Sequence, residues 1–271
     1  MASAWCAACL ACGLQGTARV ALAAPPAPGQ GYGQYERTLG DLPDVRDLLL
    51  DDDGTVVAAL GAGGVVRIQP DGQRGTMVPW WPAGQVAYAT ALARTPDGTV
   101  LVGDVQRPQV IAISPNGTRT VLADLAQLAV PPRPAALAVV DDRVLVADAG
   151  LPRVVVLDSA GQAQAEWTIE TPADGVRPLL RGLVAGGGHV FVADAANHRI
   201  VRLDPQTGRA TLAWGDRGVF PGMFESPAGL AWDGSALLVT DTLNHRVVRF
   251  DAQGAMLDQW GMHAVRPREG G

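Results

Sequence analysis

The chain has 271 residues, 48% of them hydrophobic, and a formal net charge of −6. It holds 21 arginines and no lysine, which excludes Schiff-base catalysis, pyridoxal attachment and a phosphate-loop lysine. The acidic balance argues against general nucleic-acid binding, so no nucleic-acid partner is expected.

Residues 1–23 are small and apolar and end in Ala21-Leu-Ala23, the pattern of a signal peptide with an Ala-x-Ala cleavage site. Arg19 interrupts the segment, and no basic residue stands at its start. The expected location is therefore the periplasm or the medium, with no membrane span in the mature chain. Cys6, Cys9 and Cys12 all lie in this leader and lack a fourth metal ligand nearby. Residues 24–35, opened by Ala24-Pro-Pro-Ala-Pro28, read as a flexible linker.

From residue 36 to 261 one block recurs. Its clearest copies are Val192-Ala-Asp-Ala-Ala-Asn-His-Arg-Ile-Val-Arg-Leu-Asp204 and Val239-Thr-Asp-Thr-Leu-Asn-His-Arg-Val-Val-Arg-Phe-Asp251. Aligned on Val65–Ile68, Val110–Ile113, Val154–Leu157, Ile200–Leu203 and Val247–Phe250, the copies step by 45, 44, 46 and 47 residues. The motif Asp falls at Asp104, Asp148, Asp194 and Asp241, and the first copy has Ala59 instead. Each unit reads as four short strands. In the fifth they are Ala228–Trp232, Ala236–Thr240, Arg246–Phe250 and Met256–Trp260, with turns at Asp233-Gly234 and Gly254. Four antiparallel strands at this period make the blade of a β-propeller, an all-β fold.

The Asp-x-x-Asn-His-Arg segment, the following strand that ends in Asp, and the links Phe220-Pro-Gly-Met-Phe224 and Pro227-Ala-Gly-Leu230 resemble the NHL repeat. The resemblance is strongest over 178–261 and fades toward the first copy. It implies a six-bladed, TolB-like ring. Five units are complete, and Glu36-Arg-Thr-Leu-Gly40 resembles the outer strand of a sixth. Residues 262–271 then read as a connecting loop or tail, as though the last blade were incomplete. A genuine five-bladed ring is the alternative.

The motif residues Asp194, Asn197, His198, Arg199, Asp241, Asn244, His245 and Arg246 repeat in register, which points to a structural role. Enzymatic relatives of the repeat imply other sites. Peptidyl-amide lyases place histidine metal ligands on inner strands, but Pro134-Ala-Ala-Leu137, Leu180-Arg-Gly-Leu183 and Pro227-Ala-Gly-Leu230 carry none. Gluconolactonase-type propellers use Glu, Asn and Asp, whereas the asparagines here (Asn116, Asn197, Asn244) all fall in turns. Asp51-Asp-Asp-Gly54 lacks the spacing of a calcium loop. No catalytic residue, metal or cofactor is assigned, and a metal-dependent propeller enzyme stands as the alternative function.

The preferred reading is a non-enzymatic binding or scaffold module that recognises an acidic protein, peptide or glycan through its long loops. The residues expected on that face are Trp80, Trp81, Arg133, Arg177, Arg181, Arg217, Phe220 and Phe224. The competing reading is that the Arg-Pro segments pack between blades and pair with neighbouring Asp residues.

Overall fold

A computed structural model describes residues 17–23, 35–50, 55–68, 78–79 and 86–261. Five four-stranded antiparallel sheets follow one another along the chain, so the architecture is an all-β propeller of five blades. Blade 1 comprises β3 (Asp47–Leu50), β4 (Val56–Ala59), β5 (Val65–Ile68) and β6 (Val78–Pro79). Blade 2 is β7 (Ala89–Arg94), β8 (Val100–Asp104), β9 (Gln109–Ile113) and β10 (Arg119–Asp124). Blade 3 is β11 (Pro134–Val140), β12 (Arg143–Asp148), β13 (Arg153–Leu157) and β14 (Ala163–Thr168). Blade 4 is β15 (Leu180–Gly186), β16 (His189–Asp194), β17 (Arg199–Leu203) and β18 (Ala210–Trp214). Blade 5 is β19 (Pro227–Trp232), β20 (Leu237–Asp241), β21 (Arg246–Phe250) and β22 (Met256–Trp260).

The turns follow the local chemistry of their residues. At the β19–β20 turn, Asp233 Oδ1 accepts the amides of Ser235 and Ala236 at 2.8 and 2.7 Å, while Gly234 takes φ +94°. That left-handed backbone suits glycine and closes the hairpin tightly. Second strands such as Val100–Asp104 are buried along their whole length. Sheets covered on both faces need such continuous apolar runs rather than alternation.

The core lies between blades. Separate apolar layers join blades 1 and 2, 2 and 3, 3 and 4, and 4 and 5. The last is aromatic: Phe191 stacks on Trp232 at 5.9 Å with planes 9° apart, and Phe250 meets Phe224 at 5.6 Å. The face of blade 1 turned away from blade 2 has its own buried layer around Val56, Ala58, Val66 and Ile68.

No sixth blade is present among the described residues. Glu36–Gly40, expected as a blade's outer strand, lies in β2 (Tyr35–Pro43), and its antiparallel partner is β1 (Thr17–Ala23). Residues 24–34 leave a short loop to close between the two strands, so this local pairing costs little chain entropy. The expected cleavage point at Ala23 thus ends a paired strand, and Tyr35, expected in the linker, begins the next. The rest of that linker, the Asp51-Asp-Asp-Gly54 turn, the cysteines and the 262–271 tail lie outside the described residues. No helix among the described residues is long and apolar enough to cross a membrane.

Innermost strands of neighbouring blades approach closely. A Cβ on Gly182 of β15 would lie 2.0 Å from the carbonyl oxygen of Ala228 in β19. Gly182→Ala must push the two strands apart, and we expect it to cost about 2–3 kcal/mol of stability, read by urea denaturation.

Candidate functional site

The loops that enter blades 2 to 5 are held by the repeat motif. Asp148, Asp194 and Asp241 end their blades' second strands and are almost fully buried. Each accepts an amide from the chain just before or at its own innermost strand: Arg133 N at 3.0 Å, Leu179 N at 3.1 Å and Glu225 N at 2.6 Å. Each also takes a guanidinium, Arg153 Nε and Arg199 Nε at 2.9 Å and Arg246 Nε at 2.8 Å. The arginines then reach into the entering loops. Arg199 donates to the carbonyl of Glu170 at 2.7 Å, and Arg246 donates to the carbonyls of Val219 and Met223 at 2.8 Å each.

Asn197 and Asn244 reinforce this grip by donating to the carbonyls of Val176 and Gly218, each at 2.8 Å. His198 points forward: its Nδ1 accepts the amide of Ser226 at 3.1 Å, tying blade 4 to the entry of blade 5. The equivalent His245 is exposed and makes no side-chain hydrogen bond to a described residue. In blade 2, Asp104 has no such arginine and instead gathers four amides, those of Ala87, Tyr88, Gln106 and Arg107.

Clamped in this way, the innermost strands surround a central cavity of about 580 Å³, a volume ordinary for a small-molecule pocket. All five blades line it, including Asp47, Thr90, Arg133, Arg181 and Gly229. Four of the inner strands break register at the same level, between Ala89 and Ala91, Pro134 and Ala136, Leu180 and Gly182, and Pro227 and Leu230. A bulge re-aims the extra residue, and here Thr90, Ala135, Arg181 and Ala228 all line the cavity.

The arginines expected on one face separate into two groups. Arg133 and Arg181 are exposed, line the cavity, and have no side-chain hydrogen bond or ion pair to a described residue. Arg217 is held by Glu225 at 3.1 Å, and Arg177 donates to the carbonyl of Gly150. Phe220 is 69% exposed, whereas Phe224 is fully buried against Phe250 and is withdrawn from the binding face. It is drawn inward because the Phe220–Phe224 link must fill the space between blades 4 and 5. Trp80 and Trp81 lie outside the described residues.

Sequence reasoning missed Asp47. Its carboxylate accepts the amides of Leu48 at 2.8 Å and of Leu92, across in blade 2, at 2.7 Å. Burial pushes its pKa up from 3.8 to about 6 against the lowering effect of those two bonds. The available signal was Ala59: where the motif Asp is lost, Asp47 stands opposite that position in the strand pair. Beside it, Arg46 is occupied by Asp44 and by the Tyr88 hydroxyl, over whose ring it sits at 5.2 Å. Among the described residues, no group of three or more His, Cys, Asp or Glu is placed to hold a metal ion.

Asp241→Ala strands the Arg246 guanidinium and should cost about 3–5 kcal/mol in chemical denaturation, more than the outer-strand change Asp258→Ala. The folded state binds the Asp47 proton more tightly than the unfolded chain, so this group costs stability as pH rises from 3.8 through about 6, with no further change above. Between pH 4 and 7, wild type should lose on the order of 2 kcal/mol relative to Asp47→Asn, measured as the difference between their stability profiles.

No family model matches the chain, and no curated protein matches it. Solved structures do resemble it. A chain in a nidogen/laminin complex is 18% identical with a TM-score of 0.67, the match covering 92% of each chain. A catalytically inactive virginiamycin B lyase from Staphylococcus aureus, bound to quinupristin, is 15% identical with a TM-score of 0.63 over 91% of this chain and 78% of the lyase. An auxiliary nutrient binding protein from Bacteroides ovatus is 13% identical with a TM-score of 0.65, over 86% of this chain and 64% of that one. At these identities the likeness is one of fold, and the fold they share with this chain is the β-propeller.

Proposed function

We propose that this protein is an exported, non-enzymatic binding or scaffold propeller of NHL type, periplasmic or secreted. It takes an acidic protein, peptide or glycan at the arginine-bearing mouth of its central cavity. One observation carries the reading: Arg133 and Arg181 line the cavity without an acidic partner among the described residues, in a chain of net charge −6. The motif arginines Arg153, Arg199 and Arg246 are all consumed by buried carboxylates. A guanidinium that the fold does not use keeps its planar set of donors for a carboxylate from outside.

Other features agree. The Asp–Asn–Arg clamps of blades 4 and 5 pin the loops that enter them, which lowers the cost of ordering those loops when a ligand docks. The fold is shared with a chain from a laminin complex and with a nutrient binding protein, which supports a binding role. The apolar leader with its Ala21-Leu-Ala23 end supports export.

The test uses immobilised poly-L-glutamate as the acidic peptide and polygalacturonate as the acidic glycan. The double variant Arg133→Ala, Arg181→Ala should weaken retention on the polymer that wild type binds by about tenfold or more, with unchanged thermal stability. Arg177→Ala with Arg217→Ala should retain binding within about threefold, because both side chains are already occupied. Equal loss in the two double variants would overturn the assignment of the site to the cavity mouth.

A further inference from the structure

Blade 1 departs from the other blades at one paired position. In blades 2 to 5 the motif Asp stands on the second strand, opposite Ala89, Pro134, Leu180 and Pro227 of the innermost strand. In blade 1 the pair is reversed: Ala59 stands on β4 and Asp47 opposite it on β3. The exchange moves a carboxylate to the wall of the cavity, where Asp47 is the single acidic residue among the described lining residues. Each of its oxygens accepts one backbone amide, which leaves lone pairs on both. Arg46 offers it no compensation, being held by Asp44 and Tyr88.

Blades pack in chain order, β3 on β7, β7 on β11, β11 on β15 and β15 on β19. Arg133 and Arg181 therefore belong to blades 3 and 4, on the side of the cavity away from blade 1. One wall carries two guanidiniums with no partner among the described residues, the other a carboxylate whose neighbour Arg46, also in the lining, is held by Asp44 and Tyr88. Leu48, Ala136, Leu183 and Leu230 supply apolar lining around the same cavity. A ligand that satisfies all of this is small, carries both charges and has an apolar body.

The geometry points to a site for a compact zwitterion, an α-amino acid or short peptide with an apolar side chain. Its carboxylate is taken by Arg133 and Arg181, its ammonium by Asp47, and its side chain by the leucines between them. The inference rests on the same two arginines as the reading above and adds what the opposite wall binds. Binding places the ammonium on the free lone pairs of Asp47 and supplies the counter-charge that this carboxylate otherwise lacks.

The experiment is isothermal titration of the full chain with leucine, N-acetyl-leucine, leucinamide and the dipeptide Leu-Leu at pH 7.5. Leucine or Leu-Leu should bind, and the tighter of the two assigns the free amino acid or the peptide as the natural form. Acetylating the amine or amidating the carboxylate should each weaken binding about tenfold or more. Asp47→Asn should reduce leucine to the affinity of N-acetyl-leucine while leaving N-acetyl-leucine unchanged, and Arg133→Ala with Arg181→Ala should abolish both. If N-acetyl-leucine binds wild type as tightly as leucine, the role of Asp47 is overturned and the arginine pair stands. No heat from leucine or Leu-Leu, with poly-L-glutamate or polygalacturonate still retained, overturns the zwitterion alone. Loss of every ligand overturns both readings. The comparison of ligands on wild type needs no variant to fold.

Discussion

The buried carboxylate that ends the second strand in blades 2 to 5 makes the contacts on which the rest of the structure depends. Asp148, Asp194 and Asp241 are 2% exposed or less, and burying a charge so deeply is costly unless every lone pair is used. Here each carboxylate accepts a backbone amide of the incoming loop and a guanidinium from its own third strand. The guanidinium in turn satisfies carbonyls of that loop. An apolar pair of similar volume would fill the space, but it would leave those loop amides and carbonyls unpaired. The ion pair persists because it is also the hydrogen-bonding frame of an irregular backbone.

That frame determines what the cavity can present. Loops pinned at their entry deliver the innermost strands at a fixed height, and a register break in four of five strands turns one residue of each toward the axis. The close approach at Gly182 keeps the strands of blades 4 and 5 tight around the opening. Positive charge at the mouth is then a matter of which arginines the frame has not consumed. A chain of net charge −6 can carry a basic site only where its acids are already committed elsewhere, as they are in the motif.

Two departures from the repeat show where structure stops dictating sequence. His198 links blade 4 to blade 5, whereas His245 is exposed, since among the described residues no blade follows to offer it an amide. The reversal of Asp47 and Ala59 is the other. The remaining blades show that the inner position accepts Ala, Pro or Leu, so the repeat itself does not require a carboxylate there.

By itself the sequence determined the repeat, the strands and their turns. An apolar-rich run such as Val247–Phe250, or an Asp-Gly pair such as Asp233-Gly234, acts through neighbours only a few residues away. The motif Asp, Asn and Arg were legible for the same reason, since Asp241 and Arg246 lie five residues apart and pair within their own hairpin. Contacts between blades decided everything else. The sequence placed Glu36–Gly40 in an outer strand but could not show that β1 would be its partner. It grouped four arginines on loops without separating Arg133 and Arg181 from Arg177 and Arg217, whose acceptors Gly150 and Glu225 are set by how the loops fold. It counted Phe224 as surface although the gap between two sheets draws it inward. Asp47 went unnoticed because its significance lies in Leu92 of the next blade and in the cavity that five blades line, and neither exists until the blades have packed together.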